Sequence, residues 1–574
     1  MKRIKVAVGF VCTVLVLAAA QNAMAAEKVS KQEQSQWLRW VIPLPKKINI
    51  SGKVELPASE VKITVRRGAG DTEKTAADQL TALFKEKGNT VDYRRAFDTG
   101  GSGEAFEILI GVCDAEGKVA DVTLTDIADL ENLPNRDQAY LIRPVGQDRL
   151  VLTALHERGV YYAVQTLRQL LENRFDKGAV AIPLISVTDW PDMARRGEWG
   201  CNICAPDETL WMAHHKMNLI QYEVRWKVGA DGRGGISGFK QPAKYAPVNV
   251  QKQLSERSEK EMRAFGNRHA MYMDPSLMHY SLLGERTRIF DVYPELKEPI
   301  KLKGNYVPAI GEVNVRFMPC PSQPKMVDLL ADFMRILAET GAAEIDCCLT
   351  EDAAQCGCKT CLAAGEDFEF ALETRAYVNA WRRVVKQYPD LKIRISLSQG
   401  SYRTDNAKVL AEIPPGVGVS YYDGGRSYDS SRDPMIYPQL EAFAAKGGYL
   451  GVVPSLTASY AVVSPWTAPQ FIRYRMNEFV DKKLQVLIGY PTPTNRLYDF
   501  NVTATAEWSW NAKGRSEREF AAAWATRRGL EDPDAVADWA VMLGPVSWDV
   551  YGSGIPYPHF MHSKAGKLVA NRGK

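Results

Sequence analysis

The run EIDCCLTEDAAQCGCKTC, residues 344–361, gathers more reactive side chains than any other part of this chain. It begins as an apolar strand and turns polar at Thr350, so the adjacent acids Glu351 and Asp352 stand where a strand ends. Two neighbouring carboxylates can divide labour: one is driven toward its neutral form and donates a proton, while the other stays charged and orients a bound molecule. The same pair also fits a solvated helix start with Thr350 as its N-cap. Just beyond, Cys356, Cys358 and Cys361 offer three thiolates in six residues, and Cys320 in MPCPSQP is the candidate fourth ligand of a tetrahedral ion. A zinc held by four sulfurs would clamp the loop behind the acids and, having no open position, would not activate water. Disulfides are the competing account in an oxidising compartment.

Other candidate strand ends carry aromatic, amide and acidic groups. SYYDGG supplies Tyr422 and Asp423, a later segment supplies Trp466, and GYPTPTNRLYDFN supplies Tyr490 and Asn495. Converging on one rim, such groups stack on a sugar ring and bond its hydroxyls. Glu507 and Trp508 follow in a helical stretch, where Glu507 is either a second carboxylate across the site or a solvated helix residue. Arg195 and Arg196 either bind an acidic substituent or neutralise buried acid at a barrel base, with Arg196 nearer the strand's far end. His214 and His215 lack a third ligand and read as packing or helix-end residues. Cys201 and Cys204 have the spacing of a local disulfide.

The elements that must position these groups form two patterns. From about Lys46 to Pro183 short strands alternate with two helices: KVELPASEVKITVRR reads as the first strand pair, and TAADQLTALFKEKG and HERGVYYAVQTLRQLLEN as amphipathic helices. This is a small α/β domain with no paired acids or nucleophile, and its role is support. After VTDWPDMARRG the candidate strands are 194–199, 218–224, 269–273, 343–349, 392–397, 417–422, 450–456 and 484–490. Eight strand and helix units predict a (β/α)8 TIM barrel, whose active residues belong where strands end. An open doubly wound sheet is the rival, disfavoured because no glycine-rich fingerprint follows any strand. The expected division is 1–25 signal peptide, 26–185 accessory α/β domain, 186–511 barrel and 512–574 helical extension.

The first 25 residues combine a basic start, a short apolar run and an A-M-A cleavage site, which predicts export to the periplasm or beyond the cell. No later run is long and apolar enough for membrane insertion. The formal charge of +4 includes three cations of that leader, so the remainder carries about +1 and recommends no nucleic-acid partner. Of ten cysteines nine lie beyond the leader, an odd number that leaves at least one without a partner in this chain. A glycan or oligosaccharide is the expected substrate. No catalytic cofactor is implied, and a homodimer is compatible with the sequence without being specified by it.

Several segments resemble the domain junction of family 20 β-N-acetylhexosaminidases. Gly159 to Leu167 approximates their G-x-x-Y-G-x-Q-T-L motif; Asp189, Pro191, Arg196 and Gly197 match D-x-P-x-x-x-x-R-G; and Lys216 to Asn218 match the K-M-N that opens strand two. The acid pair departs from that family, which has Asp-Glu after a histidine and glycines where this chain has Leu349, Thr350, Glu351 and Asp352. Family 84 O-GlcNAc hydrolases similarly use adjacent acids. An acid pair followed by C-x-C-x-x-C is similar to a group of glycosidase-like bacterial barrel proteins. The resemblance implies an exo-acting glycosidase that removes a terminal 2-acetamido sugar. In it Asp352 would be the general acid/base, Glu351 would orient the acetamido group, and Tyr422, Trp466, Tyr490 and Trp508 would enclose the sugar. A glycosidase of other specificity with two separated carboxylates, and a noncatalytic glycan-binding barrel, are the alternatives.

Overall fold

The computed structural model describes residues 26–89, 92–95, 105–200, 202–239, 248–277, 279–302, 316–350, 354–365, 368–397, 406–422, 432–456, 467–490 and 499–552. The leader, Glu351, Asp352, Asp423, Trp466, Asn495 and Cys201 therefore lie outside the described residues.

The first unit is a mixed sheet. Its order begins with a two-residue edge strand, then runs 47–57, 179–189, 140–145, 149–154, 106–112, 61–65 and 92–95. Strands up to 149–154 are antiparallel to their neighbours, and the remainder pair in parallel. KVELP and VKITV, expected to pair with each other, have four strands between them in the sheet order. The 3-10 turn Ala58–Glu60 separates them in the chain, and Lys47–Pro57 pairs instead with Ala179–Asp189. The helices Asp71–Glu86 and Glu157–Leu171 pack on the sheet and on each other. The second is buried on nearly every side, because the face turned from the sheet meets the barrel.

The second unit is a closed parallel barrel. Its strands are Arg195–Trp199, Leu219–Val228, Tyr272–Leu277, Glu344–Cys348, Lys392–Leu397, Val417–Tyr421, Leu450–Val452 and Val486–Gly489. Each pairs with its successor, and strand one also pairs with strand eight, Arg195 opposite Val486. That closure excludes the doubly wound sheet. All eight strands fall within or overlap the expected segments. The helices Asp499–Trp510, Glu517–Arg527 and Pro533–Gly552 complete the described chain. Among the described residues no helix is long and apolar enough to cross a membrane.

Polar side chains rivet the two units together. Asp189 accepts hydrogen bonds from the Tyr140 hydroxyl at 2.7 Å and the Trp510 indole at 2.9 Å, and the Lys216 ammonium lies 3.3 Å away. Burial lowers Lys216 to about 8 despite this carboxylate. Arg196, expected near a substrate, is fully buried here. It donates to Gln138 at 2.9 Å and to the carbonyls of Met193 and Lys216 at 2.6 and 2.7 Å. Asn218 donates to Gln138 and accepts from the Arg196 amide. The residues carrying the junction motifs thus fix how the domains meet at the barrel's N-terminal end.

Candidate functional site

Strand alternation decides which residues enter the barrel. Arg195 and Arg394 lie inside with Asp274, Glu344 and Asp346. Arg195 bonds Asp274 and Glu344, each at 2.8 Å. Arg394 bonds Glu344 at 2.5 Å and Gln221 at 2.8 Å, with Asp274 and Asp346 at 3.7 and 3.6 Å. Arg195 therefore neutralises buried acid, the second of its two expected roles. Burial raises Asp274 to about 6 although both arginines oppose it, whereas for Glu344 the arginines outweigh burial and hold it low. Asp346 accepts from Ser396 at 2.6 Å, Ser276 at 2.9 Å, Gln221 at 3.0 Å and the Cys348 thiol at 3.2 Å. This crowded ionic layer, in which only the Arg394 Nε lacks a hydrogen bond among the groups just named, closes the barrel below its mouth and makes a stiff floor.

Above the floor the same alternation brings up Trp199, Glu223, Cys348, Tyr422, Ser455 and Tyr490. The rings of Trp199 and Tyr490 lie 5.1 Å apart, and those of Tyr422 and Tyr490 6.2 Å apart. All three are half-buried. Two of the expected aromatics thus come together, joined by Trp199, which the sequence reading passed over. Its signal was present: Trp199 is four residues beyond Arg195 on one strand, and therefore on the same face. Glu223 was missed likewise. It stands two residues after the inward-facing Gln221 and opposite Ser276 in the parallel ladder.

Strand four runs toward this mouth, and the described stretch that holds it ends at Thr350. Beyond Cys348 the backbone is held at successive residues. The Tyr377 hydroxyl donates to the Cys348 carbonyl at 3.2 Å, and His279 Nδ1 lies 2.8 Å from the Leu349 carbonyl oxygen. Thr350 donates its amide and hydroxyl to Glu373 at 2.9 and 2.6 Å. Glu351 follows directly in the chain.

Glu507 and Trp508 do not share this mouth. The helix Asp499–Trp510 returns down the outside of the barrel, and its last turn meets the start of strand one, where Met193 and Asp192 donate to the carbonyls of Ser509 and Trp510. Glu507 there accepts from the Leu44 amide at 3.0 Å and Arg515 at 3.3 Å, and burial raises its carboxyl. Trp508 bonds the Arg515 carbonyl at 3.1 Å and packs on Phe520. Both belong to the domain seam, as does His214, half-buried against Arg168, while His215 is buried and lies tilted against Trp211 of its own helix.

The cysteine cluster assembles as expected. Cys320, Cys356, Cys358 and Cys361 place all four sulfurs within 4.8 Å of one another. Cys320 Sγ is 3.6 Å from Cys358 Sγ and 3.7 Å from Cys361 Sγ. Four thiolates about 2.3 Å from one zinc at tetrahedral angles stand roughly 3.8 Å apart, so the donor set fits that ion. A disulfide needs about 2.05 Å, and no disulfide joins any of the eight described cysteines. Mutual sulfur contacts hold Cys361 low and push Cys320 and Cys356 up, the ordering of protons expected where several thiols crowd one point.

The chain is thus an accessory α/β domain set beneath a closed parallel barrel that has an aromatic mouth and an ionic floor. Residues 39–190 match the family model for glycosyl hydrolase family 20, domain 2, which covers the accessory domain and its junction. Among solved structures, a family 20 exo-β-N-acetylglucosaminidase from Vibrio harveyi in complex with N-acetylglucosamine is similar at a TM-score of 0.54 and 13% identity. That match covers 89% of this chain and 79% of the other. A Streptomyces plicatus N-acetyl-β-hexosaminidase gives 0.54 at 15% identity over 87% of this chain and 96% of that one. A family 138 enzyme targeting pectin rhamnogalacturonan II gives 0.55 at 13% identity, covering 86% and 69%. At these identities the likeness is one of fold. No curated protein matches the sequence.

Proposed function

We propose that this protein is an exported, exo-acting glycoside hydrolase that removes a terminal 2-acetamido sugar. The observation that carries the reading is the half-buried group Trp199, Tyr422 and Tyr490 on strands one, six and eight, at the same end of the barrel as the end of strand four, the strand that precedes Glu351 and Asp352 in the chain. In this reading Asp352 protonates the glycosidic oxygen as the acetamido oxygen attacks the anomeric carbon and the bond to the leaving group breaks. Glu351 accepts the acetamido N–H and supports the developing positive charge. Water then adds to the oxazolinium-like intermediate and gives its proton to Asp352, so no protein nucleophile is required. Asp423, Trp466 and Asn495 complete the sugar subsite. Zinc bound by the four cysteines is structural, fixing the loop beyond the acids and taking no part in the chemistry.

A second reading is favoured by Glu223. If the substrate lacks an acetamido group, an inward carboxylate on strand two can oppose the strand-four acids, as glycosidases with separated carboxylates require. Hydrolysis of a panel of chromogenic α- and β-glycosides by wild type, D352N and E351Q separates the readings. Cleavage of N-acetylhexosaminides alone, abolished in D352N, supports the first. Cleavage of non-acetylated glycosides, lost in E223Q, replaces it with the second. Silence across that panel and natural glycans refutes both and leaves a glycan-binding barrel.

A further inference from the structure

Glu373 is a fully buried carboxylate on the outer helix Glu369–Val384, and it serves neither the domain seam nor the ionic floor. Placing a carboxylate there carries a desolvation cost that an apolar residue would avoid. Its two oxygens are both engaged by one residue, Thr350, through the amide at 2.9 Å and the hydroxyl at 2.6 Å. The need for such a partner follows from the sheet. Leu349 still donates to the Ser396 carbonyl in the manner of the ladder, whereas the Thr350 amide points to the surrounding helix. The neighbouring bonds extend the grip: Tyr377, one helical turn after Glu373, holds the Cys348 carbonyl, and the Ser281 amide meets the Thr350 hydroxyl at 3.2 Å. Downstream, Cys356 belongs to the four-sulfur cluster. Glu351 and Asp352 therefore lie between two anchors, one at Thr350 and one at Cys356.

We infer that Glu373 is a positioning residue: by clamping Thr350 it fixes the backbone from which the acid pair projects, without touching substrate. This rests on the proposed role of Glu351 and Asp352. A misplacement of about 1 Å in a reacting group costs on the order of a hundredfold in rate, so a lost clamp acts chiefly on kcat. Leucine approximates the volume of Glu373 and leaves the Thr350 amide without its acceptor, whereas glutamine keeps one carbonyl acceptor.

Kinetics on whichever glycoside the wild type cleaves best, together with amide hydrogen exchange of the peptide spanning 349–358, provide the test. E373L is expected to lower kcat about 30-fold with KM within about threefold, and E373Q about threefold. T350V should lose several-fold, and T350V/E373L no more than E373L alone, because the two side chains act through one contact. Exchange in 349–358 should quicken in E373L while peptides from the other barrel strands keep wild-type protection. Unchanged kcat in E373L, or a loss that tracks the folded fraction equally in all variants, overturns the inference. If the wild type cleaves nothing, the functional reading fails by itself. Exchange then decides the clamp, and unchanged protection at 349–358 in E373L overturns it.

Discussion

Replacing Cys361 by serine tests the four-sulfur centre most directly. Two of the sulfur spacings, 3.6 and 3.7 Å, stand close to the roughly 3.8 Å of a tetrahedral zinc thiolate and all four sulfurs lie within 4.8 Å of one another, so the site closes on an ion with shifts of about 1 Å or less. Structural zinc sites of this type bind with about 10–16 kcal/mol at neutral pH. Taking about 12 kcal/mol, near a nanomolar dissociation constant, 10 μM free zinc stabilises the loaded form by about 5.5 kcal/mol. Cys361 Sγ also lies 3.2 Å from the Ser322 hydroxyl and anchors the short helix Lys359–Ala363, so its loss should free this loop before the barrel melts. Metal analysis of protein purified without added chelator should find one zinc per chain in wild type and none in C361S. A strong chelator should lower the melting temperature of wild type toward that of C361S and leave C361S unchanged. Absence of metal combined with a mass deficit of two disulfides, or with four freely titrating thiols in the folded protein, refutes the reasoning.

Three further outcomes follow from the geometry. R394M removes a buried cation from among Glu344, Asp274 and Asp346 and should cost about 3–5 kcal/mol in urea unfolding. Asp274, raised to about 6, contributes stability that is full below pH 4 and lost as pH rises through 6. Losing Arg394 raises it further, so the deficit should be greater at pH 8 than at pH 5. Y490A opens the aromatic mouth and should raise KM about tenfold, or about 1.4 kcal/mol, with kcat less affected, whereas E507Q, placed in the domain seam, should leave both within about twofold. Because burial raises Glu373 to about 8, its stabilising share is present below pH 4.5 and lost as pH rises through 8. Thermal melts should therefore shift in favour of E373Q over wild type between pH 5 and pH 9.

The sequence alone determined the barrel, because eight apolar segments, each bounded by turn residues and most followed by helical periodicity, have one closed parallel arrangement that buries them all. It also determined the cysteine cluster: three thiols in six residues are close whatever the fold does, and only Cys320 had to be brought from a distance. Tertiary structure decided what the remaining polar residues are for. Arg195 and Arg196 are adjacent in sequence and identical in type, yet strand alternation sends one into the ionic floor and the other into the domain seam. Glu507 was plausible as a second acid until the direction of its helix put it at the far end of the barrel. Trp199 and Glu223 carried no motif, and only the inward phase of their strands reveals them. The junction motifs, the most specific feature of the sequence, describe how two domains are fastened. The mouth, assembled from strands far apart in the chain, depends on closure and on the phase of every strand, and local sequence encodes neither.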